Sequence, residues 1–169
     1  LAGPQAKSSC MSARWIGFHL TDRCQLDCQH CLRDPSQEAS DLPLATIVRV
    51  LDEAASRYNI KHVSLTGGEP TLHPQFTAVC DAIVDHGMTW HLVTNGRRMA
   101  WLVRMLRERP ARKERLSNVN LSLDGAQEST HDRIRERGSY REVLSAASAC
   151  VVENIPFSFI MTLHAANEA

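Results

Sequence analysis

The chain has 169 residues, of which 43% are hydrophobic and 22% are charged, and its 19 basic residues balance 19 acidic ones. This is the composition of an ordinary globular domain, and the even charge argues against a strongly basic nucleic-acid partner. No apolar run approaches the roughly 18 residues of a membrane span, and the N-terminus lacks the apolar core of a secretory signal. We therefore expect a cytoplasmic protein without a nucleic-acid or membrane partner.

Five short apolar runs alternate with helical patterns along the chain. Their length and their content of Val, Ile, Leu and Phe predict buried strands at 15–21, 62–66, 89–94, 119–123 and 156–163. Apolar residues at three-to-four spacing predict helices over 44–58, 76–84, 97–106 and 140–153. Residues 1–14 are expected to form a disordered tail, and 15–169 a single core domain.

Local signals refine these helices. Asp41 is a possible cap of the first helix, and Gly87 is expected to end the second in the left-handed conformation. The third helix must stop by Pro110. The densest basic stretch, 97–115, is interpreted as a solvated helix and loop.

Strand–helix–strand repetition predicts an α/β fold with a parallel sheet and right-handed crossovers, in either an open or a barrel form. Such sheets gather ligand groups at the C-terminal strand ends. Polar signatures follow each of the first four predicted strands: a cysteine cluster, Gly67-Gly68-Glu69-Pro70, Thr94-Asn95-Gly96 and Asp124-Gly125. One ligand could contact all of them.

The cysteine cluster is the stretch LTDRCQLDCQHCLRD (20–34), which holds Cys24, Cys28 and Cys31 within eight residues. Cysteines at short spacing bind zinc or iron–sulfur clusters. Clusters that only carry electrons usually have four cysteine ligands, so three thiolates would leave one iron of a [4Fe–4S] cluster open to another ligand. An open coordination position distinguishes catalytic metals from structural ones.

A structural zinc site is the alternative. The three cysteines and one histidine, His19 or His30, would complete a tetrahedral set, and spacing alone does not exclude it. Cys80 and Cys150, in contrast, lie among apolar residues and are expected to be buried hydrophobic side chains.

The cysteine stretch, together with LTGGEPTLHP (65–74), VTNG (93–96) and LSLDG (121–125), resembles the radical S-adenosylmethionine (SAM) superfamily. The signatures occur in family order at matching strand ends. Within that superfamily the sequence is most similar to the branch of GTP cyclases (MoaA), peptide-modifying enzymes (PqqE) and SPASM-domain maturases. The resemblance implies a partial TIM-like (β/α) barrel with five of the family's six βα units, and we expect the sequence to stop after the fifth strand.

The resemblance also implies an enzyme. Cys24, Cys28 and Cys31 would hold three irons of a [4Fe–4S] cluster, and SAM would chelate the fourth. One electron would then cleave SAM to methionine and a 5′-deoxyadenosyl radical, which abstracts hydrogen from a substrate. A flavodoxin or ferredoxin would donate the electron, and the substrate would be a peptide or a small metabolite.

Further residues are assigned by the same resemblance. Cofactor-binding positions are His30 near the adenine, the glycine motif Gly67, Gly68 and Glu69 at the amino group, Asn95, and Ser122 with Asp124 near the ribose or methionyl part. Asn95-Gly96 and Asp124-Gly125 are also common turn pairs. Arg135, in HDRIRERGSY, either reaches the cofactor carboxylate or forms a surface salt bridge.

One departure separates the chain from the GTP cyclases. Those enzymes have two substrate-binding arginines at positions that align with Gly17 and Ser64 here. A zinc- or cluster-binding structural module, or an inactive truncated relative, remains the alternative to an active enzyme.

Overall fold

The computed structural model describes residues 15–34 and 38–168. Its strands are β1 Ile16–His19, β2 His62–Thr66, β3 Thr89–Thr94, β4 Leu116–Ser122 and β5 Phe157–Ile160. Its α-helices are α1 Leu44–Tyr58, α2 Phe76–Asp85, α3 Met99–Glu108, α4 Pro110–Glu114, α5 Glu128–Ile134 and α6 Ser139–Val152, with a 3₁₀ turn at Pro70–Leu72. The predicted tail, residues 1–14, lies outside the described residues.

All five strands are parallel and lie in sequence order in one sheet, so the predicted α/β architecture is confirmed. Sequential order with right-handed crossovers places the connecting helices on one side of the sheet, as in a barrel and unlike a doubly wound fold. Alternate strand residues pack against the helices, including Val63, Leu65, Trp90, Leu92, Val119 and Leu121. These residues, with the apolar stripes of the helices, form the core.

The opposite side of the sheet is named the inner face. Because strand side chains alternate, it carries the residues between the core-facing ones. They are Gly17, His19, His62, Ser64, Thr66, Thr89, His91, Val93, Asn118, Asn120, Ser122, Ser158 and Ile160. A register irregularity between Trp90 and His91 keeps this alternation in phase across β3 and β4.

The helix predictions were partly right. Gly87 has a φ of 68°, as predicted for a left-handed residue after α2. Pro110 begins a new helix, α4, rather than only ending α3. Asp41 does not cap α1: the N-cap is Pro43 without a side-chain hydrogen bond. The Asp41 carboxylate instead accepts a hydrogen bond from Thr21 Oγ1 at 2.6 Å.

The prediction that the basic stretch 97–115 is solvated was also only partly right. Arg112 is 6% exposed and donates to Asp81 through Nε and Nη2 at 2.8 Å each. Arg97 forms ion pairs with Glu136 and Glu142. Some charged residues in this stretch therefore form ion pairs between secondary-structure elements, and others face solvent.

No helix among the described residues is long and apolar enough to cross a membrane.

Candidate functional site

The cysteine loop, residues 22–34, leaves the end of β1 and is joined to the glycine motif by backbone hydrogen bonds. Gly68 N donates to Thr21 O and Glu69 N to Arg23 O, both at 2.7 Å. Glycine is required for this approach: a Cβ at Gly67 would lie 2.6 Å from Thr21 O, and one at Gly68 would lie 2.4 Å from Arg23 O. The two glycines therefore serve close packing of the cysteine loop onto β2, besides lining a cavity.

A cavity of about 630 Å³ opens at the C-terminal ends of the strands, as predicted, and is named the central cavity. This volume is within the usual range of ligand sites. Eight of the ten predicted site residues line it: Cys24, Cys28, Cys31, His30, Gly67, Gly68, Asn95 and Ser122. Most of the predicted site residues therefore share one cavity, because parallel strands bring their ends together.

The three thiols have N–H groups aimed at their sulfurs. Leu26 N lies 3.4 Å from Cys24 Sγ, Arg33 N lies 3.4 Å from Cys31 Sγ, and Arg135 Nη1 lies 4.0 Å from Cys28 Sγ. Donors of this kind stabilise metal-bound thiolates. The donor set and the cavity therefore fit a thiolate-ligated cluster with a small-molecule ligand beside it.

Burial opposes ionisation of the Cys24 and Cys28 thiols in the metal-free chain. It raises the pKa of the Cys28 thiol to about 11, although the Arg135 guanidinium offsets part of the rise. Burial likewise raises the pKa of Cys24. Because metals bind the thiolate, we expect metal uptake here to release protons.

The two histidines considered as zinc ligands, His19 and His30, have carboxylate partners. Over residues 15–34 and 38–168, no three His, Cys, Asp or Glu side chains are gathered closely enough to hold one ion. His19 instead contacts Asp22, at 2.9 Å. His30 Nε2 lies 2.7 Å from Asp124 Oδ2. In an iron–sulfur cluster each thiolate binds a different iron, so the sulfurs need not converge on one point.

Glu69 lies behind the cavity wall and is fully buried. Its carboxylate accepts hydrogen bonds from Thr71 Oγ1 at 2.6 Å, Thr94 Oγ1 at 2.8 Å and Asn95 N at 2.9 Å. Burial raises the pKa of Glu69, and these donors lower it in part. Contact of this carboxylate with a cofactor amino group stays a prediction, and the role visible in the structure is to join the ends of β2 and β3.

Asp124 is also fully buried behind the wall. Burial alone would raise its pKa, but the Thr162 backbone N–H, His30 and Arg135 together hold the pKa below its usual value. Arg135 Nε donates to Asp124 Oδ2 at 2.5 Å. Arg135 is only 10% exposed in its side chain and lines the cavity, so its ion pair is not the surface salt bridge considered above. Direct contact of Asp124 with a cofactor stays a prediction.

Sequence reasoning missed a clamp on the outer side of the cysteine loop. Glu136 Oε1 accepts from Asp27 N at 2.9 Å, and its Oε2 accepts from Arg97 Nη2 at 3.3 Å. Arg97 Nη1 also donates to Gln25 O at 2.9 Å. No local signal marks these partners, because they lie up to 109 residues apart.

Fold and site together define an α/β protein with a three-cysteine centre beside a glycine-lined cavity at the strand ends. A sequence model of the Radical SAM superfamily matches residues 18–169. The chain therefore belongs to the radical SAM superfamily, whose enzymes use a [4Fe–4S] cluster and S-adenosylmethionine, as the sequence motifs implied.

Relatives identify the branch. The chain is 29% identical over 155 residues to the mycofactocin maturase MftC of Mycobacterium ulcerans (strain Agy99), covering 88% of this chain and 40% of the relative. It is 31% identical over 152 residues to the PqqA peptide cyclase of Methylobacterium sp. (strain 4-46), covering 88% and 38%. The GTP 3′,8-cyclase of Streptomyces coelicolor is 31% identical over 137 residues, covering 77% and 38%. The chain thus spans about 40% of the length of these curated relatives.

Solved structures share the fold. Native anSMEcpe with bound AdoMet and a peptide superposes with a TM-score of 0.68 at 20% identity, covering 87% of this chain and 42% of that one. Streptococcus suis SuiB bound to the precursor peptide SuiA gives 0.61 at 17% identity, covering 86% and 38%. These likenesses confirm the partial-barrel fold.

Proposed function

We propose that this chain is the radical-generating core of an enzyme that modifies a peptide. Cys24, Cys28 and Cys31 would hold the [4Fe–4S] cluster, and S-adenosylmethionine would occupy the central cavity. The observation that carries the proposal is that three cysteines, two glycines and the ends of β3 and β4 line one cavity. Each of the three cysteine sulfurs has an N–H donor beside it.

The bound cofactors would supply a 5′-deoxyadenosyl radical, formed with methionine when one electron cleaves S-adenosylmethionine. The chain's own residues orient the reactants. Asn95 and Ser122 offer an amide and a hydroxyl to the cavity, and His30 offers an imidazole fixed by Asp124. A flavodoxin or ferredoxin is the proposed electron donor.

The inner face supports a peptide rather than a nucleotide as substrate. It begins at the cavity, where His19, Thr66 and Val93 form part of the wall, and continues toward the other end of the strands. Below the cavity, Asn118 Nδ2 donates to Asn120 Oδ1 at 2.6 Å and His62 Nε2 lies 2.7 Å from His91 Nδ1. These groups match the hydrogen-bonding capacity of amides.

Charge points the same way. None of the inner-face residues named above is Lys, Arg, Asp or Glu, and burial lowers the pKa of His62 and of His91, which favours the neutral form of both imidazoles. Gly17 and Ser64, at the two positions where the GTP cyclases have arginines, are register partners on this face. A triphosphate would therefore lack cations to neutralise it, whereas an uncharged peptide segment would not need them. PqqA peptide cyclase, by its name, acts on a peptide.

Anaerobic reconstitution tests the enzyme proposal. Iron, acid-labile sulfide and 5′-deoxyadenosine are measured after adding dithionite and S-adenosylmethionine. We expect about four irons and four sulfides per chain by the composition of the cluster, and formation of 5′-deoxyadenosine. Cys28→Ala should abolish the cluster, whereas Cys80→Ala, in the core at 0% exposure, should retain it.

Each other outcome has a meaning. Bound zinc without sulfide would establish the structural-module alternative. A cluster that yields no 5′-deoxyadenosine would establish an inactive relative.

Equilibrium dialysis tests the substrate class. GTP and a pool of short uncharged peptides are each dialysed against the reconstituted chain with S-adenosylmethionine. We expect retention of peptides and none of GTP, and loss of peptide retention in Asn120→Leu. Saturable GTP retention would refute the peptide assignment without affecting the cluster result.

A further inference from the structure

We propose that Asp124 is a positioning residue that holds the Arg135 guanidinium against the Cys28 sulfur, and that the guanidinium held there raises the reduction potential of the cluster. The inference rests on the proposed function, because it concerns the cluster bound by the cysteine loop. It gives both residues a role beside the cysteine ligand Cys28, separate from any contact with S-adenosylmethionine.

The geometry fixes the guanidinium at two points. Arg135 Nε donates to Asp124 Oδ2 at 2.5 Å, and Nη1 of the same planar group lies 4.0 Å from Cys28 Sγ. The Arg135 side chain is 10% exposed and that of Asp124 is fully buried. A buried ion pair of this kind has little freedom to rearrange, so the direction of Nη1 follows from the position of the carboxylate.

Asp124 is itself held by four further hydrogen bonds. Its Oδ1 accepts from Thr162 N at 2.9 Å, and its Oδ2 lies 2.7 Å from His30 Nε2. Its backbone N donates to His131 Nδ1 at 3.1 Å, and its backbone O accepts from Asn167 Nδ2 at 3.0 Å. The carboxylate is therefore anchored both to the cysteine loop, through His30, and to the segment that follows β5.

The chemistry of the sulfur gives the direction of the effect. Adding an electron to a cluster increases its negative charge, and hydrogen-bond donors and positive charge near its sulfurs favour the reduced form. Cys24 and Cys31 have neutral backbone donors, from Leu26 and Arg33, whereas the donor at Cys28 carries a full positive charge. Removing that charge should lower the potential more than loss of a neutral donor.

A redox titration of the reconstituted chain, followed by electron paramagnetic resonance, tests this inference. Arg135→Met should shift the midpoint potential to a more negative value, and Arg135→Lys, which keeps the charge but not the planar fork, should restore part of that shift. Arg133→Met is the matched control. It removes a positive charge two residues away, from an exposed side chain that donates to Ala166 O, and should leave the potential close to wild type.

A double-mutant cycle separates positioning from simple charge. In the Arg135→Met background, Asp124→Asn only removes a negative charge and should shift the potential positively. In the wild-type background it also releases Arg135, so its positive shift should be smaller or reversed. Equal shifts in both backgrounds would overturn the positioning role.

Failure of this inference is distinguishable from failure of the proposed function. A full cluster with unchanged potential in Arg135→Met overturns the inference alone. A wild-type chain that gathers no iron and sulfide overturns both. If Arg135→Met does not fold because it leaves Asp124 buried and unpaired, the double variant, which removes both charges, and Arg135→Lys carry the test.

Discussion

Replacing Glu136 with Ala should loosen the cysteine loop while leaving the fold intact. Glu136 accepts one hydrogen bond from the Asp27 backbone and one from the Arg97 guanidinium, and its side chain is 39% exposed. Hydrogen bonds to charged groups contribute about 1.5–3 kcal/mol when well buried. Allowing for the partial exposure, we expect a loss of about 1–2 kcal/mol of local stability, or roughly 5–30-fold in the local opening equilibrium.

Hydrogen–deuterium exchange of the metal-free chain measures this opening directly. Peptides covering 24–31 should exchange faster by that factor in Glu136→Ala, while peptides from β3 should be unchanged. Glu142→Ala is the matched control: Glu142 is 43% exposed and also pairs with Arg97, at 2.5 Å. Among the described residues its side chain has no hydrogen bond or ion pair with the cysteine loop. Equal acceleration in both variants, or in neither, would refute the claim that Glu136 clamps the loop.

Two further predictions follow from the glycine motif and the inner face. Gly68→Ala should lower the free energy of unfolding, measured by thermal unfolding, by about 1–3 kcal/mol, because the alanine Cβ would overlap Arg23 O. Gly87→Ala, with no atom within 4 Å, should cost only the left-handed strain of about 1 kcal/mol, and equal losses would contradict the steric argument. Burial lowers the folded-state pKa of His91, so the unfolded state binds more protons and stability should fall as the pH drops through the unfolded-state pKa of about 6.5. In His91→Gln this fall, followed by urea unfolding between pH 8 and 5, should be smaller, and an unchanged pH profile would rule out His91 as its source.

The parallel sheet and the location of the site could be predicted from the sequence. Short apolar runs alternating with helical stripes fix a parallel sheet, and a parallel sheet fixes which loops share an edge. That rule brings Cys28, Gly67 and Asn95 to one cavity, whereas Ser122 was assigned through the resemblance to the radical SAM superfamily. The predicted β4 began at 119, whereas the strand begins at Leu116, because the polar Ser117 and Asn118 interrupt its apolar pattern.

The directions of charged side chains could not be predicted. Glu69 and Asp124 occur in motifs at the cavity edge, yet both carboxylates are buried behind the cavity wall. They accept hydrogen bonds there from backbone N–H groups, those of Asn95 and Thr162. Arg97 and Arg112 occur in a basic run, and the carboxylates to which they donate hydrogen bonds, those of Glu142 and Asp81, are far away in the chain. Such pairings depend on tertiary packing, which periodicity and composition do not encode. Helix α5 was missed for a related reason: its seven residues bury only His131 and Ile134, too few to form a recognisable apolar stripe.

The backbone ladder between the cysteine loop and the glycine motif has a consequence for metal capture. Ordering a loop costs about 1–2 kcal/mol of conformational entropy per residue, and a loop that becomes ordered only when the metal arrives loses that amount from the observed affinity. Here the hydrogen bonds from Gly68 to Thr21 and from Glu69 to Arg23 order the start of the loop when the sheet forms. The entropy is therefore lost during folding. A chain weakened at the glycine motif would bind iron less tightly although all three cysteines were present.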